Sequence, residues 1–91
     1  MQVVWSPTSL RQIEEIHDYI ARDNPLAAIK MAELLHNAGE RLDTFPGQGR
    51  PVPGTRMREL IVRPYIIRYQ IDGNRVLIVR VRHGARRPTN P

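Results

Sequence analysis

The chain has 91 residues, a formal net charge of +5 and no cysteine. That length makes one domain, residues 1–91, which buries roughly 60–65% of the surface its unfolded chain exposes. Disulfides and thiolate metal sites are excluded, and no apolar run approaches the ~18 residues of a membrane span. There is no basic-then-apolar leader either, so the expected location is the cytoplasm, away from the membrane.

Residues 2–6, Gln-Val-Val-Trp-Ser, are a short strand candidate. Ser6-Pro7 then predicts a helix start, with Ser6 as N-cap and Pro7 in the first turn, where its missing N–H costs nothing. Leu10, Ile13, Ile16 and Ile20 recur at helical spacing, with Arg11, Glu14, Glu15, Asp18 and Arg22 on the other side. Asn24-Pro25 repeats the punctuation and opens a second helix, predicted to reach about Phe45. Its stripe is Ala28, Met31, Leu35, Ala38, Leu42 and Phe45. Gly39 within it costs about 1 kcal/mol against alanine. The short connection predicts an αα-hairpin.

Residues 46–55 hold three prolines and three glycines, which marks a loop. Three strands follow: Arg58–Arg63, Tyr65–Ile71 and Arg75–His83. Arg63-Pro64 parts the first two, and Asp72-Gly73-Asn74 is a tight-turn signal between the others. Residues 84–91 read as a basic tail without apolar periodicity. The predicted fold is α+β, in the order β-α-α-β-β-β, with a four-stranded, mainly antiparallel sheet and the αα-hairpin packed on one face.

The charge is unevenly placed. Residues 1–45 hold four basic and seven acidic side chains; residues 46–91 hold ten basic and two acidic. Lys30 is the one lysine. Codon bias would explain the preference for arginine, but not the crowding into the second half. Strict alternation puts Leu77, Val79, Val81 and His83 on the core face of the last strand, with Tyr65, Ile67, Tyr69 and Ile71 on that of the middle strand. The opposite face then presents Arg63, Arg68, Arg80 and Arg82 around Glu59, extended by Arg86 and Arg87 from the tail. Cross-strand pairing with Glu59 would tame part of this patch, but one glutamate does not neutralise four arginines. The face is therefore expected to bind an anionic partner, either nucleic acid or an acidic protein.

Other chemistry is sparse. His17, His36 and His83 lie in different elements with no metal-ligand spacing, and no phosphate-binding glycine loop is present, so neither metal nor cofactor is expected. His83 is the one acid–base candidate. Neighbouring arginines favour its neutral form, which could act as general base on a ribose 2′-hydroxyl. The competing role is structural, at the end of the core.

The order of elements carries a resemblance. Trp5-Ser6 opens the first helix and Asp18-Tyr19-Ile20-Ala21 closes it; Asn24-Pro25-Leu26-Ala27-Ala28 opens the second. Phe45-Pro46-Gly47, Gly49-Arg50, Arg58-Glu59-Leu60, Pro64-Tyr65-Ile66-Ile67 with Tyr69, and Val81-Arg82-His83-Gly84-Ala85-Arg86 follow. In this combination, over nearly the whole chain, the sequence resembles the RelE/ParE family of bacterial type II toxins. The resemblance implies a cytosolic toxin neutralised by a cognate antitoxin. RelE-like members cleave mRNA in the ribosome; ParE-like members bind and inhibit DNA gyrase. RelE-like nucleases carry an arginine after the first tyrosine of the middle strand, where this chain has Ile66, with Arg68 two residues on. They also carry a basic, often lysine-rich segment before the three-stranded meander, where this chain offers only Arg50, Arg56 and Arg58. Arg86 matches their last arginine, but no aromatic follows it. If the chain were a nuclease, His83, Arg86 and Arg68 would be the residues to carry it. The His83-Gly84-Ala85-Arg86 ending looks more like ParE, so the expectation is a ParE-like toxin, with a RelE-like endoribonuclease as the alternative.

Overall fold

The computed structural model describes residues 1–85. Strand β1 (Gln2–Trp5) leads to helix α1 (Pro7–Ala21) and helix α2 (Pro25–Glu40), followed by a 3₁₀ turn (Arg41–Asp43). The remaining strands are β2 (Arg50–Pro51), β3 (Met57–Val62), β4 (Tyr65–Asp72) and β5 (Arg75–His83). The sheet has five strands, in the order β1-β5-β4-β3-β2. β1 runs parallel to β5 and the other pairs are antiparallel. The four strands expected from sequence are all present. The fifth, β2, is a two-residue edge inside the Pro/Gly-rich loop, too short to leave a periodic signal.

Both helix starts form as the sequence dictates. Ser6 Oγ accepts from the Ser9 N–H at 3.0 Å, and Asn24 Oδ1 accepts from the Ala27 N–H at 3.0 Å. Each relieves one of the orphan donors of a helix N-terminus. Helix α2 ends at Glu40 rather than near Phe45, because the chain tightens into the 3₁₀ turn. Leu42 still faces the core, whereas Phe45 lies beyond the turn and is exposed. The helices cover one sheet face. Leu35 and Leu42 meet Leu60, Tyr65, Ile67, Tyr69, Val76, Ile78 and Val81 in a single core, and each such side chain contributes about 1.5–3 kcal/mol of burial.

The core face of β5 differs from strict alternation. Val76, Ile78 and Val81 are buried, not Leu77 and Val79. The cause is a register shift: Arg68 pairs with Arg80 but Tyr69 pairs with Ile78, so Val79 is an extra residue. Such a bulge reverses the phase of everything before it. Helix α1 seals the irregularity. Ser6 Oγ donates to the Val79 carbonyl at 2.8 Å, and the Val81 N–H donates to Gln12 Oε1 at 2.7 Å. Because the phase recovers by Arg80, the arginines of β5 still face away from the helices.

Candidate functional site

Register decides which cations share a face. Arg50 stands opposite Glu59, Glu59 opposite Arg68, and Arg68 opposite Arg80. They form one row across the open face of the sheet. Arg82 lies in the next row, opposite Ile66. The predicted face therefore exists, with Arg68, Arg80 and Arg82 brought together around Glu59.

Glu59 neutralises more of this face than a single pairing would. Its Oε2 accepts from Arg68 Nη2 at 2.7 Å, Arg68 Nε at 3.1 Å and Arg82 Nη2 at 3.2 Å. The carboxylate side chain is only 15% exposed. Burial pushes the Glu59 carboxyl up, but the bonds and charges of Arg68 and then Arg82 outweigh it and hold it below its ordinary value. Arg82 Nη1 is shut away from solvent with no hydrogen-bond partner among the described residues.

The other arginines separate by role. Arg75 pairs with Asp72 at 3.5 Å. Arg58 donates from Nη1 to the carbonyl of Gly49 at 2.7 Å, and so ties the Pro/Gly-rich loop to the sheet. This anchoring role was missed in the sequence, although Arg58 shares its strand phase with Leu60 and Val62, which marks it as turned toward the helix side. Arg50, Arg56, Arg63 and Arg80 are exposed and make no ion pair among the described residues. Arg63 sits in the β3–β4 turn rather than on the face proper. Arg86 and Arg87, assigned to the patch from sequence, lie outside the described residues.

His83 does not join the arginines. It pairs in register with Tyr65, on the helix side of the sheet, and the two rings meet edge to face at 5.4 Å. Its Nδ1 accepts from the Ala85 N–H at 3.0 Å. That bond assigns the neutral ring's proton to Nε2, leaving a donor there rather than a base. The three nuclease candidates therefore do not converge: His83 and Arg68 stand on opposite faces, and Arg86 lies outside the described residues. His36 is exposed and stacks on Trp5 with centroids 5.6 Å apart, and His17 contacts Asp18 at 3.1 Å. No group of metal-ligating side chains assembles among the described residues, and no helix there is long and apolar enough to cross a membrane. Two open concavities, of ≈480 and ≈100 Å³, share Arg41 and Gln48; the larger is lined by Phe45 and Gly47 and the smaller by Leu60, Ile61 and Val62 of β3, and no arginine of the row lines either.

Residues 3–88 match the family model described as the ParE toxin of the type II toxin–antitoxin system parDE. The chain belongs to this family. It is the toxin component of a type II toxin–antitoxin system in the wider RelE/ParE group. Toxin RelE2 of Caulobacter vibrioides is 42% identical over 85 residues, which cover 93% of this chain and 97% of that one. Among solved structures, the chromosomal ParDE system from P. aeruginosa aligns with a TM-score of 0.82 at 20% identity, over 91% of this chain and 95% of its own. The RelBE2 toxin–antitoxin complex from Mycobacterium tuberculosis aligns at 0.61 and 20% identity, over 90% and 95%. At such identities the two structures establish the shared fold.

Proposed function

We propose that this toxin acts by binding and inhibiting a DNA topoisomerase of the gyrase class, and that a cognate antitoxin neutralises it. The observation that carries the reading is the separation of His83 from Arg68 and Arg82 across the two faces of the sheet. A general base and the guanidiniums that stabilise a phosphorane must meet at one phosphate, within hydrogen-bond reach. Here Arg68 and Arg82 are engaged by Glu59, and His83 offers a donor. The match to the parDE toxin model supports the same choice. An antitoxin partner is supported by the toxin–antitoxin systems whose structures share this fold.

The alternative is a RelE-like endoribonuclease that cleaves mRNA on the ribosome. One observation favours it: a carboxylate and two guanidiniums meet at Glu59, which is a combination suited to phosphoryl chemistry. Against it, a carboxyl held below its ordinary value is a weak base.

Two assays on purified toxin separate the readings. Gyrase supercoiling should be inhibited, with accumulation of cleaved DNA, while primer extension on ribosome-bound message should show no new ends. Codon-specific ends that vanish in His83→Ala or Arg68→Ala, with gyrase untouched, would reverse the assignment.

A further inference from the structure

The open face of the sheet holds more positive charge than the protein satisfies. Arg50, Arg68 and Arg80 share one row with Glu59, and Arg82 adjoins it, so four guanidiniums surround one carboxylate. All three bonds from Arg68 and Arg82 fall on the same oxygen, Oε2. Arg82 Nη1 has no acceptor among the described residues. Arg80, directly opposite Arg68, is exposed and unpaired among the described residues. Like charges opposed across a ladder repel, and a second anion on this spot would relieve them.

The surroundings select the kind of anion. Ile61 and Ile66 continue the row of Arg82, and Met57 and Leu77, with the amide of Gln70 between them, border the ionic row on its other side. Ile61 is among the exposed large apolar side chains. Tyr65 and Tyr69 point to the core, and register places no aromatic ring on the open face among the described residues. Sheets that read single-stranded nucleic acid stack bases on aromatic side chains, and this face lacks them. An acidic group set between apolar side chains, on a protein segment, fits better.

We propose that the open face is a docking surface for a protein segment carrying one carboxylate flanked by apolar side chains, which engages Arg80 and draws Arg82 away from Glu59. Glu59 is then an internal competitor that holds the guanidiniums in place until the partner arrives. A bidentate carboxylate gives Arg82 the second acceptor that a single Glu59 oxygen does not supply. The proposal rests on the protein-binding reading of the toxin, but not on which enzyme is its target.

The test is an NMR titration of the full chain, following arginine Nε–H and backbone amide signals. The probes, at millimolar concentration, are a blocked LVEVL peptide, its LVQVL counterpart and an oligothymidylate. The LVEVL peptide should saturably shift the Nε–H signals of Arg80 and Arg82 and bind several-fold more tightly than LVQVL. Arg80→Ala, an exposed change whose amide spectrum verifies folding, should weaken LVEVL several-fold, and Glu59→Gln should strengthen it. Equal response to both peptides, or no response in the wild-type protein, would overturn the proposal. Stronger shifts of the same signals by oligothymidylate would overturn it in favour of a nucleic-acid surface. Carboxylate-dependent binding by a toxin that leaves gyrase untouched would uphold this surface and remove only the target.

Discussion

The Gly49 N–H donates to the Tyr69 hydroxyl at 2.8 Å, and the same hydroxyl donates to the Pro46 carbonyl at 2.7 Å. One buried side chain thus fixes both ends of the turn that leads into β2. A β-carbon at position 49 would lie 2.7 Å from the Tyr69 ring and 2.8 Å from the Glu59 carbonyl, so only glycine fits. Tyr69→Phe should destabilise by about 1–3 kcal/mol, because it strands a buried N–H and a carbonyl. Gly49→Ala should cost at least as much by steric overlap. Urea unfolding measures both, and a Tyr69→Phe protein as stable as wild type would show that the clamp carries no energy.

Tyr69 also predicts an alkaline limit. Burial raises its ionisation above the ordinary tyrosine value, against the opposing pull of the Gly49 N–H and the Arg58 charge. The folded state therefore favours the neutral phenol. The stability this provides is complete below the ordinary value, about pH 10, and is lost as pH rises through the folded one. Thermal midpoints of wild type should fall more steeply above about pH 10 than those of Tyr69→Phe.

Glu59 sets the opposite limit. Its folded ionisation is depressed, so its contribution is present above the ordinary glutamate range and lost as pH falls through the lower folded value. Glu59→Gln should remove about 1–3 kcal/mol near neutrality, typical of lost hydrogen bonds to charged groups. It should also flatten the decline in stability below about pH 4.5. Parallel wild-type and variant curves across the acid range would contradict the assignment.

Gly39 reverses a sequence-level expectation. Helix propensity alone favours alanine there by about 1 kcal/mol. In the fold, an added β-carbon would overlap the Trp5 ring and come within 2.9 Å of Ile78 Cδ1. The indole rests over that glycine, its Nε1 donating to Glu40 at 2.7 Å, and its ring stacks on His36. Gly39→Ala should therefore destabilise, by about 1–3 kcal/mol as overpacked cores do. The emission of Trp5, the one tryptophan, should change with it.

Local chemistry was legible where one residue decides it. Ser6-Pro7 and Asn24-Pro25 announce their helices, and the stripe from Ala28 to Leu42 is the buried seam. What alternation could not reveal was the bulge at Val79, since an extra residue leaves no mark on the apolar run Val76–Val79. The arginines were legible as a face, but their division was not. Pairing of both Arg68 and Arg82 with Glu59 depends on register, and register depends on turns and on the bulge. Gln12 shows the same limit: a polar residue on an amphipathic helix carries no sign that its amide will cap a strand N–H from Val81.

That division of the arginines gives the sharpest paired test. Arg68 and Arg80 stand opposite each other and each carries one positive charge, so any long-range electrostatic role treats them alike. Their surroundings differ. Arg68 makes two bonds to Glu59 and is about one-third exposed (30%), whereas Arg80 is exposed and unpaired among the described residues. Arg68→Ala should lower stability by about 1–3 kcal/mol through loss of charged hydrogen bonds. Arg80→Ala should stay within about 0.5 kcal/mol of wild type, as surface changes do. Growth inhibition should follow the reverse order at a temperature where both variants are folded. Arg80→Ala should be impaired without any loss of fold, because of these two guanidiniums its own is the one unpaired among the described residues and open to a partner. Arg68→Ala should retain more toxicity than its stability suggests, because Glu59 can still hold Arg82. Equal toxicity of Arg80→Ala and wild type, at equal abundance in the cell, would take the open face out of the mechanism.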